Sequence, residues 1–235
     1  MSNPIKKISN GIYKLTFGTP EEISLVSLAE NEQSSNLNNL KDCEMPFSTE
    51  EISFKTAKRG CVLAFPKKGS EHIYGFGLQL KSFEQTGKKR YIRVNADPES
   101  DCGDTHSPAP FYISSNGYAV LVDTLRTAKF YTGCIKKVDE STSLNATEKE
   151  LGLTTDQLYS FKAGAEERKI FAEIPVAQGA DVYIFAGEDM KDALAKYILF
   201  SGGGAMPPMW GLGYHYRVKS EYTQNEAEKL NDEFR

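Results

Sequence analysis

At 235 residues, with 40% apolar and 26% charged side chains, the chain has room for one large globular domain or two small ones. A formal net charge of -4 excludes a global attraction to nucleic acid or anionic membranes, and no apolar run is long enough to span a bilayer. Four widely spaced cysteines (Cys43, Cys61, Cys102 and Cys134) contain no Cys-x-x-Cys, so neither a zinc ribbon nor a redox pair is indicated.

In chain order, Met1 to Lys7 lacks an apolar signal core, which leaves cytoplasmic and secreted or periplasmic settings both open. Gly11 to Phe17 alternates apolar and polar side chains, the period of a half-buried strand. Residues 28–42 are rich in Asn and Ser and read as a loop. Ile52–Lys55 and Cys61–Phe65, joined through Lys58-Arg59-Gly60, read as a hairpin. Lys88, Lys89, Arg90 and Arg93 are expected to be a solvated strand edge, where lysine discourages edge-to-edge pairing. Strands are predicted at Tyr91–Val94, Phe111–Ser114, Tyr118–Val122, Lys129–Tyr131, Ile170–Ile174 and Asp181–Ala186. Asn116-Gly117 is a strong hairpin signal, because both residues tolerate the positive φ of a type I′ turn. Residues 139–169 are charged, poor in apolar runs, and carry no assignment. Many short strands separated by turn residues predict a mainly β fold, an antiparallel β-sandwich that buries sheet against sheet.

Glu188 to Leu199 is predicted helical, with Met190, Leu194, Tyr197 and Ile198 on one face and Gly202-Gly203-Gly204 ending it. Pro207-Pro208 then stiffens a linker. Trp210–Tyr216 reads as a short apolar strand. Thr223 and Glu226 form a capping box, and Ala227, Leu230 and Phe234 recur at helical spacing to give that helix one face to bury. One strand and one helix cannot close a barrel. The expected organisation is therefore a sandwich domain over 1–204, with its linking helix at 188–199, followed at 205–235 by the first β/α unit of a second, incomplete domain.

Four segments carry a family resemblance. Ile73-Tyr74-Gly75-Phe76-Gly77-Leu78-Gln79, Arg93-Val94-Asn95-Ala96-Asp97, the hairpin Asn116 to Asp123, and Pro207-Pro208-Met209-Trp210-Gly211-Leu212-Gly213-Tyr214 resemble, in order and spacing, the N-terminal portion of glycoside hydrolase family 31. Gln79 stands where that family usually has Glu, and Ala96 where it usually has Thr. The resemblance implies a galactose-mutarotase-like β-sandwich beside a truncated (β/α)8 barrel, and α-linked oligosaccharides or glycosides as substrates. It also implies a retaining mechanism, which needs two carboxyl groups ~5 Å apart. In that family both are aspartates on later barrel strands, so no residue of this chain inherits a catalytic role. The remainder of the barrel is the implied partner.

The loop from Asn95 to His106 holds the richest polar cluster: Asp97, Glu99, Asp101 and Asp104. Its acidic spacing fails the calcium-loop frame, since Gly103 falls one place late and no Glu closes twelve residues, so no metal is assigned. The resemblance suggests that this loop leans over the barrel mouth, where Asn95 or Asp97 would hydrogen-bond sugar hydroxyls. An exposed polar loop held by turn bonds is the alternative. His215 and Tyr216, at the C-terminal end of the first barrel strand, are the other candidate substrate-binding residues, because barrel active sites are built there. Trp210 and Tyr214 are expected to pack as core between barrel and sandwich. His72 reads as a structural or surface histidine. Gly75 and Gly77 form half of a dinucleotide fingerprint with no third glycine; unusual dihedrals explain them better, and no cofactor is expected. A stand-alone carbohydrate-binding sandwich is the competing function.

Overall fold

A computed structural model describes residues 5–29, 35–57, 59–79, 81–94, 105–136, 168–204, 206–212 and 219–234. The chain divides into two compact units, Met1–Gly203 and Gly204–Arg235.

The first unit is built on two antiparallel sheets. One sheet holds β1 (Ile5–Ser9), β2 (Ile12–Thr19), β5 (Ile73–Gly75), β7 (Phe111–Ser114), β8 (Tyr118–Asp123) and β11 (Gln178–Ala186), in the order β1-β2-β11-β8-β7-β5. The other holds β3 (Ser53–Ala57), β4 (Gly60–Pro66), β6 (Lys89–Tyr91), β9 (Lys129–Lys136) and β10 (Arg168–Pro175), in the order β3-β4-β10-β9-β6. Between them lies a core that includes Leu15, Phe17, Val120, Val122, Val182 and Ile184 from one sheet and Leu63, Phe65, Phe130, Ile170 and Ile174 from the other. Fully burying a side chain of this size contributes about 1.5–3 kcal/mol, so this layer holds the sandwich together.

Sequence pattern and burial agree where one face is wet. In β10, Ile170, Ala172 and Ile174 are buried and alternate with partly exposed neighbours. β8 departs from that alternation, because all six of its residues are buried. Its second face is covered by helix α1 (Met190–Phe200), which packs on Phe111, Ile113, Leu121 and Phe185 in a second apolar cluster. A hairpin turn forms at Asn116-Gly117, but not as type I′: Ser114 pairs with Tyr118 across a three-residue loop, Gly117 N donates to Ser114 O at 3.1 Å, and Gly117 alone of the loop is left-handed, at φ 78°.

Several expectations are corrected. β6 ends at Tyr91 rather than running to Val94; it is an edge strand as expected, but Arg90 within it is not solvated. It is 3% exposed, and its Nε donates to Gln85 Oε1 at 2.6 Å. The 28–42 segment contains a 3-10 turn at Ser35–Asn39 that buries Leu37 in the second cluster. Helix α1 starts at Met190, where the Asp189 side chain accepts from Asp192 N. Its buried positions are Ala193, Lys196 and Phe200, whereas Leu194 and Ile198 are 39% and 42% exposed. Met190 and Tyr197 pack on the second cluster as expected, with the Tyr197 ring stacked 3.9 Å from Phe111, while Lys196 turns inward instead of Leu194 and Ile198 because it finds buried partners.

In the second unit, Trp210 does not begin a strand. Met209–Leu212 is a 3-10 turn closed by Gly211 N donating to Pro208 O at 2.8 Å. Trp210 is 80% exposed, and Tyr214, with the remainder of the expected strand to Tyr216, lies outside the described residues. The capping box at Thr223 forms as expected and starts helix α2 (Gln224–Glu233). Ala227 and Leu230 are its least exposed positions, but no residue of the helix is buried and Phe234 is 57% exposed.

Candidate functional site

The site is built at the end of β5, where the chain turns through three successive left-handed residues: Gly75 (φ 114°), Phe76 (φ 65°) and Gly77 (φ 99°). The first glycine is required by close approach, since a β-carbon there would stand 2.7 Å from Phe111 O. Phe76 is the exception. A bulky residue at positive φ costs about 1–2 kcal/mol. It is held there by full burial, with its ring 4.9 Å from Phe130 and 5.8 Å from Tyr112, and by Phe76 N donating to Phe111 O at 2.8 Å.

The turn delivers Leu78 to His106. Leu78 N donates to His106 O at 2.8 Å, and His106 N donates back to Leu78 O at 3.2 Å. Beside them Val94 pairs with Thr105, whose N donates to Arg93 O at 3.1 Å. The Thr105 hydroxyl lies within hydrogen-bond range of both Leu78 O and His106 O. Both ends of the 95–104 segment are thus anchored at one point on the sandwich rim. Leu78, Val94 and Phe83 nearby in sequence are 58%, 68% and 81% exposed, with the Phe83 ring 5.1 Å from Tyr74. The Nε2 atom of His106 is buried and has no hydrogen-bond partner among the described residues.

Charge near this root is modest. His72 Nδ1 lies 2.7 Å from Glu84 Oε1 on the surface, and that hydrogen bond, with one from Thr86, holds the Glu84 carboxyl below its usual range. Deeper in the sandwich, Glu71 is 2% exposed and accepts hydrogen bonds from the hydroxyls of Ser114 and Tyr118. Burial, with Glu71 beside it, raises the Tyr118 hydroxyl well above its ordinary value and keeps it a donor. Among the described residues no three His, Cys, Asp or Glu side chains gather as a metal site would.

The predicted substrate-binding residues Asn95, Asp97, His215 and Tyr216 lie outside the described residues. What the structure supplies is the frame of the first pair. Sequence reasoning missed Thr105 and the Leu78–His106 pairing; the Gly-Phe-Gly run was the signal that a strand ends in a sharp turn there.

With this frame in place, residues 8–130 match the family described as the glycosyl hydrolase 31 N-terminal galactose mutarotase-like domain. The chain belongs to that family. An alpha-glucosidase of Saccharolobus solfataricus is 26% identical over 228 residues, covering 95% of this chain and 27% of the relative. Alpha-glucosidase 2 of Bacillus thermoamyloliquefaciens is 33% identical over 167 residues, 70% of this chain and 18% of the relative. An alpha-xylosidase of Lactiplantibacillus pentosus is 26% identical over 164 residues, 69% and 17% respectively. Among solved structures, the family 31 dextranase of Flavobacterium johnsoniae, complexed with isomaltotriose, superposes with a TM-score of 0.57 at 14% identity, over 89% of this chain and 27% of that one. The cycloalternan-degrading enzyme of Trueperella pyogenes gives 0.55 at 16% identity, over 94% and 27%. These neighbours share the sandwich fold. The family 31 chain described here spans about a quarter or less of the curated relatives' own length.

Proposed function

We propose that this chain is the N-terminal part of a retaining α-glycoside hydrolase acting on α-linked sugars, a sandwich that braces a catalytic barrel and lends one loop to its substrate pocket. The observation that carries this reading is the match of residues 8–130 to the family 31 N-terminal domain. Relatives named as α-glucosidases and an α-xylosidase support it. The reacting carboxylates come from the part of the relatives' length that this chain does not span. Retaining hydrolysis uses one as nucleophile and one as acid and then base.

Residues 205–235 open the barrel in this reading. Met206, Met209, Trp210 and Leu212 are 90%, 85%, 80% and 64% exposed, an apolar density that a folded surface rarely leaves uncovered. The barrel remainder is its natural cover. Asn95 and Asp97 extend from the anchored root and hydrogen-bond sugar hydroxyls, while His215 and Tyr216 line the pocket from the end of the first barrel strand. The paired backbone at Leu78 and His106 supports this role by fixing where the end of that segment meets the sandwich.

The test is hydrolysis of nitrophenyl α-glycosides by the full-length protein and by residues 1–235 alone. The long form is expected to turn over and the short form to be inert. Asn95→Ala and Asp97→Ala in the long form are expected to raise KM about tenfold with smaller effects on kcat, the cost of leaving a sugar hydroxyl unpaired. Hydrolysis by the short form would overturn the assignment of the reacting groups, and unchanged KM in both variants would overturn the role of the loop.

A further inference from the structure

Helix α1 carries a lysine whose surroundings exceed what packing requires. Lys196 is 0% exposed. Its Nζ donates to Ala186 O at 2.6 Å and to Asp192 Oδ2 at 2.9 Å, and lies 3.5 Å from the sulfur of Cys43. The floor of this site is Gly11, where a β-carbon would stand 2.9 Å from Nζ. The amine is therefore fixed from several sides and cannot swing into solvent.

The thiol is fixed as well, and it is reachable. Cys43 is half-buried on the segment that crosses the start of the helix. Tyr13 OH donates to Cys43 O at 2.7 Å, Gly11 N donates to Asp42 Oδ1 at 2.8 Å, and Asn10 Nδ2 donates to Leu40 O at 3.0 Å. The Cys43 sulfur also lies 3.9 Å from Asp192 Oδ2, so thiol, amine and carboxylate meet at one point. The Asp192–Lys196 pair accounts for charge balance within the helix; it does not account for a sulfur placed against the same nitrogen. Cys61, by contrast, sits in the core between the sheets.

We propose that Cys43 and Lys196 are a modification site, an oxidisable thiol–amine pair that a peroxide converts into a covalent link between the 40–43 segment and helix α1. This inference is independent of the glycosidase reading. In the first step the Cys43 thiolate attacks one oxygen of hydrogen peroxide. The O–O bond breaks, and the departing hydroxide takes up a proton and leaves as water. Sulfur is oxidised by two electrons to the sulfenic acid, and the peroxide is reduced. In the second step Lys196, after passing its ammonium proton to the Asp192 carboxylate at 2.9 Å, attacks that sulfur. The S–N bond forms, the S–O bond breaks, and hydroxide leaves as water with a proton from the amine. The sum is one thiol, one amine and one hydrogen peroxide giving one sulfenamide and two waters. The same condensation onto a backbone nitrogen is known chemistry of sulfenic acids, and here the nitrogen is already in contact.

The experiment is peptide mass spectrometry of the purified protein after mild hydrogen peroxide treatment, digested without reductant. The expected result is a linked pair of peptides, one containing Cys43 and one Lys196, lighter than their sum by two hydrogen atoms and separated again by dithiothreitol. Cys43→Ser is expected to abolish the link and Cys61→Ser to leave it. The melting temperature should rise on oxidation of the parent protein and not of Cys43→Ser, because a cross-link between distant residues restricts the unfolded chain. Oxidation of Cys43 to sulfinic or sulfonic acid with Lys196 unlinked would overturn the proposal, as would a linked species that persists in Cys43→Ser.

Discussion

The Tyr118 hydroxyl donates to the Glu71 carboxylate in the interior of the sandwich, where Glu71 is 2% and Tyr118 3% exposed. Ser114 donates to the same oxygen, and the other carboxylate oxygen accepts from Lys68 N at 2.7 Å. This one side chain therefore ties the segment before β5 to β7 and β8. Removing it takes the shared acceptor away from two buried hydroxyls and from the Lys68 amide, although Ser114 Oγ still accepts from Asn116 N at 3.0 Å. Glu71→Ala is expected to destabilise the protein by about 2–4 kcal/mol, since each orphaned buried group costs ~1–3 kcal/mol. Glu71→Gln, which keeps an acceptor, should cost about half as much. Urea unfolding monitored by fluorescence checks both.

At the β10–β11 turn Val176 has φ 68° while 65% exposed. A β-branched residue in this region is strained, and its exposure means that little packing is gained in exchange. Val176→Gly is expected to stabilise by about 0.5–1 kcal/mol, the relief of strain being offset in part by the greater freedom of glycine when unfolded. Thermal denaturation reads this as a higher midpoint; a lower one would show that the valine side chain packs usefully.

Gly77 has φ 99°, and a β-carbon there would stand 2.8 Å from Thr105 Oγ1. Gly77→Ala is expected to cost about 1–3 kcal/mol from backbone strain and to loosen the root of the 95–104 segment. Limited proteolysis should then cut within that segment faster than in the parent protein. On the proposed role of that segment in sugar binding, KM of the full-length protein should rise more than kcat falls.

Burial works to raise the Asp192 carboxyl, but the hydrogen bonds from Lys196 and from Glu188 N outweigh it, and the group lies below its ordinary value of 3.8. A depressed carboxyl stabilises the fold fully above its unfolded value. That contribution fades as pH falls from about 3.8 through the lower folded value. Asp192→Asn should flatten this acid limb of the stability–pH curve while lowering stability at neutral pH. Chemical denaturation at a series of acidic pH values tests the slope.

Burial pushes the Cys61 thiol up to about 11, so in the folded protein it is almost entirely protonated at neutral pH. Cys43, half-buried, should be alkylated by iodoacetamide under native conditions, and Cys61 only after unfolding. Mapping of the labelled peptides distinguishes the two.

Period and turn chemistry were legible in the residues themselves: the alternation of β2 and β10, the Asn116-Gly117 hairpin, the Thr223 capping box and the four segments that resemble family 31. These are local signals, set by φ and ψ preferences and by side-chain spacing along one strand or helix. Which surfaces meet was decided only in three dimensions. β1 and the short β5 were not legible as strands, because both depend on ladder bonds to partners elsewhere in the chain. Helix α1 turned Lys196 rather than Leu194 inward, since a carbonyl from β11, a carboxylate on its own first turn and a thiol from position 43 converge there to receive the amine. Arg90 entered the sandwich for a similar reason, through Gln85. Hydrophobicity along a sequence ranks residues by their preference for water, whereas burial of a charge depends on partners that only the folded chain assembles.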